Sequence, residues 1–196
     1  MLQTVNIRPA TPKDAPALAD LIVMAGDGLP LYVWDSMREG GETAMDVGRR
    51  RAQRTEGGFS YLNADVAENG AQVISSIISY ALPKEVTPVD PTEVPAMFVP
   101  FLELETLVPD TWYINVLATY PNGRKRGAAT ALLTHAETRA RRAGHSAMSI
   151  ITGDTNPALQ MYERFGFAEI ARRQMVKDDW DYDGTEWVLL KKELTP

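Results

Sequence analysis

The sequence predicts an α/β fold in which one mixed, mostly antiparallel central sheet is flanked by helices on both faces. Three observations predict it. β-prone runs alternate with segments whose apolar residues recur at helical spacing along the 196 residues. Asn69-Gly70 stands between two such runs, a strong signal for a hairpin and hence for antiparallel pairing. Near residue 120 an apolar strand runs through a Pro/Gly turn directly into a helix, and only there is the pairing expected to depart from antiparallel.

Residues 5–8 read as a short strand. Pro12 opens a helix in which Ala15, Leu18, Ala19, Ile22 and Val23 share one face until Gly26 stops it. The loop around Gly26 and Gly28 leads to helical pieces at 31–38 and 43–54, where Leu31, Tyr32 and Trp34 suit either core packing or a pocket wall. Residues 59–67 and 72–80 are the strands of the hairpin. Between Pro83 and Pro109, six prolines and no clear period mark an inserted loop, with a short helix starting near Pro100. An insertion of this length reads as a flap over a site, with plain surface elaboration as its alternative.

Residues 113–118 follow as a central strand. Residues 127–143 form a helix with Ala129, Leu132, Leu133, Ala136 and Ala140 on its buried stripe, closed by Gly144. A buried strand at 147–152 precedes a helix from Asn156-Pro157 to Phe165, where Gly166 ends it. The tail reads as strands at 167–171, 174–177 and 186–191, the last two joined as a hairpin through Asp183-Gly184.

Length and composition suit a single domain over residues 1–196 that carries an inserted Pro-rich loop at about 83–109. The formal charge of −6 argues against a general nucleic-acid binder, which would be basic over a broad face. With no cysteine, disulfides, thiolate metal ligands and an acyl-cysteine intermediate are excluded. His135 shares a polar helix face with Arg139 and Arg142, and His145 follows a helix-ending glycine, so no metal is expected. The first residues lack a charged start followed by an apolar core, and no run approaches about 18 apolar residues. A cytoplasmic protein without membrane association is expected, and assembly as a homodimer stays open.

The most informative stretch is residues 117–133. The first N–H groups of a helix have no partner within it, and the summed peptide dipoles leave positive charge there. Gly127 and the small Ala128 and Ala129 permit close approach of a diphosphate, while Arg124, Lys125 and Arg126 add cations. The stretch therefore reads as a pyrophosphate cradle. Neither the phosphate loop of nucleoside triphosphatases nor the dinucleotide motif Gly-x-Gly-x-x-Gly occurs.

The spacing Arg124-x-x-Gly127-x-Ala129, with Leu117-Ala118-x-x-Pro121 before it and Ala131-Leu132-Leu133 after it, resembles the acetyl-coenzyme-A signature of the GNAT superfamily of N-acetyltransferases. The run from Asn156 through Ala158 and Tyr162 to Gly166-Phe167 is similar to that family's second motif, and Ile7-Arg8-Pro9-Ala10-Thr11 resembles its opening strand. Coverage is weak between about residues 26 and 57. The resemblance implies a GNAT-like fold, in which the strands ending near Ala118 and Thr152 splay apart around the pantetheine arm. It also implies acetyl-CoA as co-substrate, held by Leu117, Ala118, Thr119, Arg124, Lys125, Arg126, Gly127, Ala128, Ala129, Thr130, Asn156 and Tyr162.

Acetyl transfer from a thioester to an amine needs a neutral amine, a stabilised carbonyl oxygen and a protonated leaving thiolate. The resemblance assigns the last role to Tyr162, although Leu159, Tyr162 and Phe165 share a spacing that a core residue would also satisfy. Asn156 is implied as a partner of the pantetheine amide, with a helix cap as the alternative. A backbone N–H near Leu117 or Ala118 is implied for the oxyanion. Where many relatives place a carboxylate on the central strand this chain has Asn115, whose amide cannot take the proton. Glu103 and Glu105, in the insertion, are then the candidates for the base, against a solvated-surface alternative. The expected partner is a small-molecule or peptide amine, with a non-catalytic acyl-CoA-binding module as the competing reading.

Overall fold

The computed structural model describes residues 5–195. Among them are seven strands: β1 (Asn6–Pro9), β2 (Ala64–Asn69), β3 (Gln72–Ala81), β4 (Trp112–Thr119), β5 (Ala147–Gly153), β6 (Ala168–Gln174) and β7 (Glu186–Glu193). Six α-helices accompany them: α1 (Ala15–Ala25), α2 (Leu29–Asp35), α3 (Ala44–Ala52), α4 (Val99–Glu105), α5 (Ala128–Arg142) and α6 (Leu159–Arg164). The strands form one sheet in the order β1-β2-β3-β4-β5-β7-β6. Pairing is antiparallel at β1–β2, β2–β3, β5–β7 and β6–β7, and parallel at β4–β5. This is the mixed sheet that the sequence predicts, with its parallel pair formed by β4, the strand that feeds α5, and β5.

Contacts group the chain into two compact units. One takes the residues up to Tyr80 with Asn115–Ala136, and the other takes Ala81–Ile114 with the residues from Glu137 onward.

In the first unit the apolar face of α1 does what its spacing requires: Leu18 and Ala19 are buried together with Trp34 of α2, Val47 of α3, Val66 of β2 and Ile78 of β3. Trp34 stacks on Phe59 with ring centroids 5.7 Å apart. The indole lies so close to α3 that a Cβ added at Gly48 would meet it at 2.2 Å. Thr43 caps α3, its Oγ1 accepting from the Asp46 N–H at 3.2 Å while the Asp46 carboxylate accepts from the Thr43 N–H at 3.0 Å. At the start of the chain, Asp14 accepts from both terminal nitrogens of Arg8 at 2.8 and 2.9 Å and from the Thr11 N–H at 2.7 Å. These bonds, Arg8 foremost, hold its carboxyl at about 2 against an ordinary 3.8.

The hairpin forms one residue later than the Asn69-Gly70 pair suggests. Asn69 pairs with Gln72, so the two-residue turn is Gly70-Ala71, and Gly70 takes φ +65° at its first position. The β2 strand starts at Ala64 rather than 59 because Ser60 caps a short 3-10 turn over Tyr61–Asn63, its Oγ accepting from the Leu62 N–H at 3.2 Å.

In the second unit every residue of β5 is buried, and β5 pairs with β7 from Ala147↔Glu193 to Gly153↔Trp187. The helix of the insertion packs on the sheet: α4 lies on β5, β6 and β7, with Phe101 edge-on to Trp187 at 5.5 Å. The tail also differs from expectation. β6 is one continuous strand paired with β7, and the residues expected as a strand at 174–177 leave it after Gln174 to enter the loop. That loop folds onto its own aromatics. Trp180 is 7% exposed and stacks on Tyr182 at 4.6 Å and on Trp187 at 6.0 Å. Lys177 Nζ donates to the carbonyls of Tyr182 and Gly184 at 2.8 and 3.0 Å. The Tyr182 phenol then occupies the space beside two glycines, so close that an added Cβ would lie 2.1 Å from its hydroxyl oxygen at Gly153 and 2.2 Å from its ring at Gly184.

Candidate active site

The first unit contributes β4 from Asn115 onward, a tight turn and the start of α5. At the turn, Gly123 is buried against β3, where an added Cβ would lie 2.9 Å from that of Ile74. The Tyr120 N–H bonds to the Ile74 carbonyl at 2.9 Å, fixing the end of β4 over the same strand. The chain then passes through two left-handed residues, Lys125 at φ +61° and Gly127 at φ +79°. Left-handed backbone is costly for a lysine and free for a glycine, and such kinks turn successive N–H groups toward one point.

The first bond of α5 runs from the Ala131 N–H to the Gly127 carbonyl at 2.9 Å, so the N–H groups of Ala128, Ala129 and Thr130 have no acceptor within the helix. Ala128 is 2% exposed and packs inward, Ala129 is half-buried and Thr130 is exposed. Gly127 has nothing within 4 Å of an added Cβ, so glycine is required there by its backbone angle and not by crowding. Arg124, Lys125 and Arg126 are exposed, and Arg124 Nε turns back to 3.5 Å from the Thr119 carbonyl.

Upstream on β4, Leu117 and Thr119 are half-buried, and the carbonyl of Ala118 accepts from Ser75 Oγ at 2.7 Å. Thr119 Oγ1 lies 2.8 Å from the same Ser75 oxygen. Asn115 is half-buried and its Nδ2 donates to the Tyr80 hydroxyl of β3 at 2.8 Å. The sequence reading does not single out this Tyr80 partner. Its signal is alternation alone, since both residues sit on strands the pattern does find.

The second unit carries the β5 side. The β4–β5 ladder runs Trp112↔Met148, Tyr113↔Ser149 and Ile114↔Ile150 and ends there, although β5 continues to Gly153. After β5, Asn156 is engaged at both ends of its amide: Nδ2 donates to Thr152 Oγ1 at 2.7 Å, and Oδ1 accepts from the Ala158 N–H at 2.8 Å. This two-residue turn explains why α6 begins at Leu159 instead of Asn156, and it places Asn156 ahead of the cap position.

Tyr162 of α6 is 3% exposed and meets Phe167 edge-on at 6.1 Å. Its hydroxyl makes no hydrogen bond among the described residues. Burial pushes the phenol well above its ordinary value of 10, so the proton stays on it across the working pH range.

The two carboxylates of the insertion stand in different surroundings. Glu103 is exposed and accepts from Arg173 Nε of β6 at 3.1 Å. Glu105 is half-buried, makes no hydrogen bond or ion pair among the described residues, and is pushed up to about 7 by burial. No hydrogen bond or ion pair among the described residues joins either of them to Tyr162. Among the described residues there is also no group of three or more metal-ligating side chains.

Two features of the units bear on ligand chemistry. In the first unit a kinked backbone leads into an open helix end flanked by cations; in the second, a buried phenol keeps its proton and makes no hydrogen bond among the described residues.

Comparison with known proteins bears on the fold and the family. Residues 34–167 match the model of the Acetyltransferase (GNAT) family. The fold is similar to a crystal structure described as that of an acetyltransferase, at 18% identity and a TM-score of 0.65, over 97% of this chain and 100% of that one. It is also similar to an N-acetyltransferase from Staphylococcus aureus Mu50, at 21% identity and a TM-score of 0.61, over 95% and 99% of the two chains. A chain of the NatC complex bound to Gag peptide and CoA matches at 16% identity and a TM-score of 0.57, over 97% and 99%. At such identities the likeness shows the fold alone, and no curated protein matches the sequence. The matched model covers more than half of the chain, from α2 through Phe167, and so the chain belongs to the GNAT family of acetyltransferases, whose general chemistry is acyl transfer.

Proposed function

We propose that this protein transfers the acetyl group of acetyl-CoA directly to a primary amine of a small-molecule or peptide acceptor. The observation that carries this reading is the left-handed backbone at Lys125 and Gly127 leading into the open N-terminus of α5. There the N–H groups of Ala128, Ala129 and Thr130 bind the pyrophosphate, with Arg124, Lys125 and Arg126 supplying mobile positive charge. Leu117, Ala118 and Thr119 line the path of the pantetheine arm. Asn156 stiffens the entry to α6 through Thr152 and thereby positions Tyr162.

When bound, acetyl-CoA supplies an acyl group activated as a thioester. The amine nitrogen forms the new C–N bond as the C–S bond breaks, and Tyr162 Oη gives its proton to the departing sulfur and regains one from water. The proton of the attacking nitrogen leaves to solvent, because the Asn115 amide has no basic site for it. An acyl-cysteine intermediate is not part of this scheme, since the chain has no cysteine.

The competing reading is an acyl-CoA-binding module without catalysis, and Asn115 is the observation that favours it. One experiment separates the two. The protein is incubated with acetyl-CoA and a panel of primary amines while thiol release is followed, and acetyl-CoA affinity is measured by calorimetry. Turnover with at least one amine supports the transferase. Tight binding without turnover across the panel supports the module, and absence of binding removes both.

A further inference from the structure

The Pro-rich segment and α4 border an open pocket of about 320 Å³ that the transfer reaction leaves unused. Its walls are apolar, from Leu82, Val86, Val94 and Leu102 together with prolines. Its charges are of one sign only: Glu85, Asp90 and Glu93 stand exposed along the rim, and Glu105 is half-buried on α4. No lysine, arginine or histidine lines it.

The Glu105 carboxyl makes no hydrogen bond or ion pair among the described residues, and no cation has been built beside it to offset its burial. A carboxyl placed so is costly to leave alone, and a charged partner from solution removes that cost. Asp90 is already occupied, its Oδ1 accepting from the N–H and hydroxyl of Thr92 at 2.9 and 2.7 Å. Glu105 is therefore the group that a ligand in the cavity would meet. A volume near 300 Å³, with apolar walls and one convergent polar group, is that of a small-molecule site.

We propose that this cavity binds a small amine with an apolar body, its ammonium paired with Glu105 and its hydrocarbon against Leu82, Val86 and Leu102. Charge complementarity selects the cation, and the apolar walls select against a bare metal ion, which needs several oxygen ligands brought together. The inference does not rest on acetyl transfer, and its assay contains no acyl donor, so its failure and the failure of the transferase reading are read separately.

The test is calorimetric titration of the full chain with 2-phenylethylamine and with its uncharged counterpart 2-phenylethanol. The amine is expected to bind at pH 8, the alcohol to bind roughly tenfold more weakly or worse, and Glu105→Gln to lose amine affinity by a similar factor. A second measurement needs no variant. Amine affinity of the unaltered protein is expected to fall as pH drops from 8 to 6, because Glu105, ordinarily near 4.5 but raised to about 7, takes up a proton. The other titratable groups facing the cavity, Glu85, Asp90 and Glu93, are exposed rim carboxylates. Absence of amine binding, equal binding of the alcohol, undiminished binding by a folded Glu105→Gln protein, or calcium ion displacing the amine would each overturn the proposal.

Discussion

Replacing Tyr162 by phenylalanine isolates one oxygen atom. The ring is 3% exposed and packs against Phe167 at 6.1 Å, contacts that phenylalanine keeps. The hydroxyl makes no hydrogen bond among the described residues, so its removal leaves no partner stranded, and stability is expected to change by no more than about 0.5 kcal/mol. Loss of a positioned general acid, by contrast, costs roughly 10²–10⁴ in rate. The assay is steady-state thiol release with an active amine, paired with a thermal melt. Tyr162→Phe is expected to lower kcat by about 100-fold or more, while KM for acetyl-CoA and the melting temperature stay nearly constant. Because burial raises the phenol above 10, the acid form persists as pH rises, and the unaltered enzyme is expected to show no loss of kcat from deprotonation of Tyr162 below pH 10. A folded Tyr162→Phe protein with kcat within about threefold of the original would refute the assignment of the acid.

Three further perturbations test the scaffold. Gly127→Val places a β-branched residue at φ +79°, where an added Cβ meets no neighbouring residue but is strained against its own backbone, so stability is expected to fall by about 1–2 kcal/mol and acetyl-CoA affinity by roughly tenfold; unchanged affinity by calorimetry would sink the cradle. Asp14→Asn removes a carboxylate held at about 2 against an ordinary 3.8, a shift equivalent to about 2 kcal/mol. A depressed carboxyl stabilises above its unfolded value and loses that contribution as pH falls toward 2, so the deficit measured by urea unfolding at pH 7 is expected to shrink with acid. Gly48→Ala forces a Cβ to 2.2 Å from the Trp34 ring and is expected to cost about 1–3 kcal/mol by shifting the urea midpoint without changing the slope.

Features set by nearest neighbours in the chain were legible from the sequence. The buried stripe of α5 is written in the spacing of Leu132, Leu133, Ala136 and Ala140, each fully buried, and the hairpin in Asn69-Gly70. The turn into α5 was legible for the same reason, because helix polarity and left-handed glycine are local properties of residues 124–131. What the sequence hid was decided by distant partners. Phe101 meets Trp187 across 86 positions, and no periodicity in a proline-rich run announces that α4 will dock on strands not yet made. Glu103 and Glu105 look alike in sequence, yet one finds Arg173 and the other a cavity. Asn156 and Asn115 carry amides whose partners, Thr152 with the Ala158 N–H for one and Tyr80 for the other, are matters of side-chain geometry that spacing does not encode.

The crowding around Tyr182 bears on how this sequence can change. Its phenol fills volume that a side chain at either Gly153 or Gly184 would need, so three sites spread along the chain are sterically coupled. A lineage that keeps the aromatic holds both glycines fixed, whereas one that first shrinks residue 182 releases Gly153 to drift and leaves Gly184 still held by the Asp154 carboxylate, 2.5 Å from an added Cβ. The order of substitutions, more than their number, then decides which related sequences can be reached from this one.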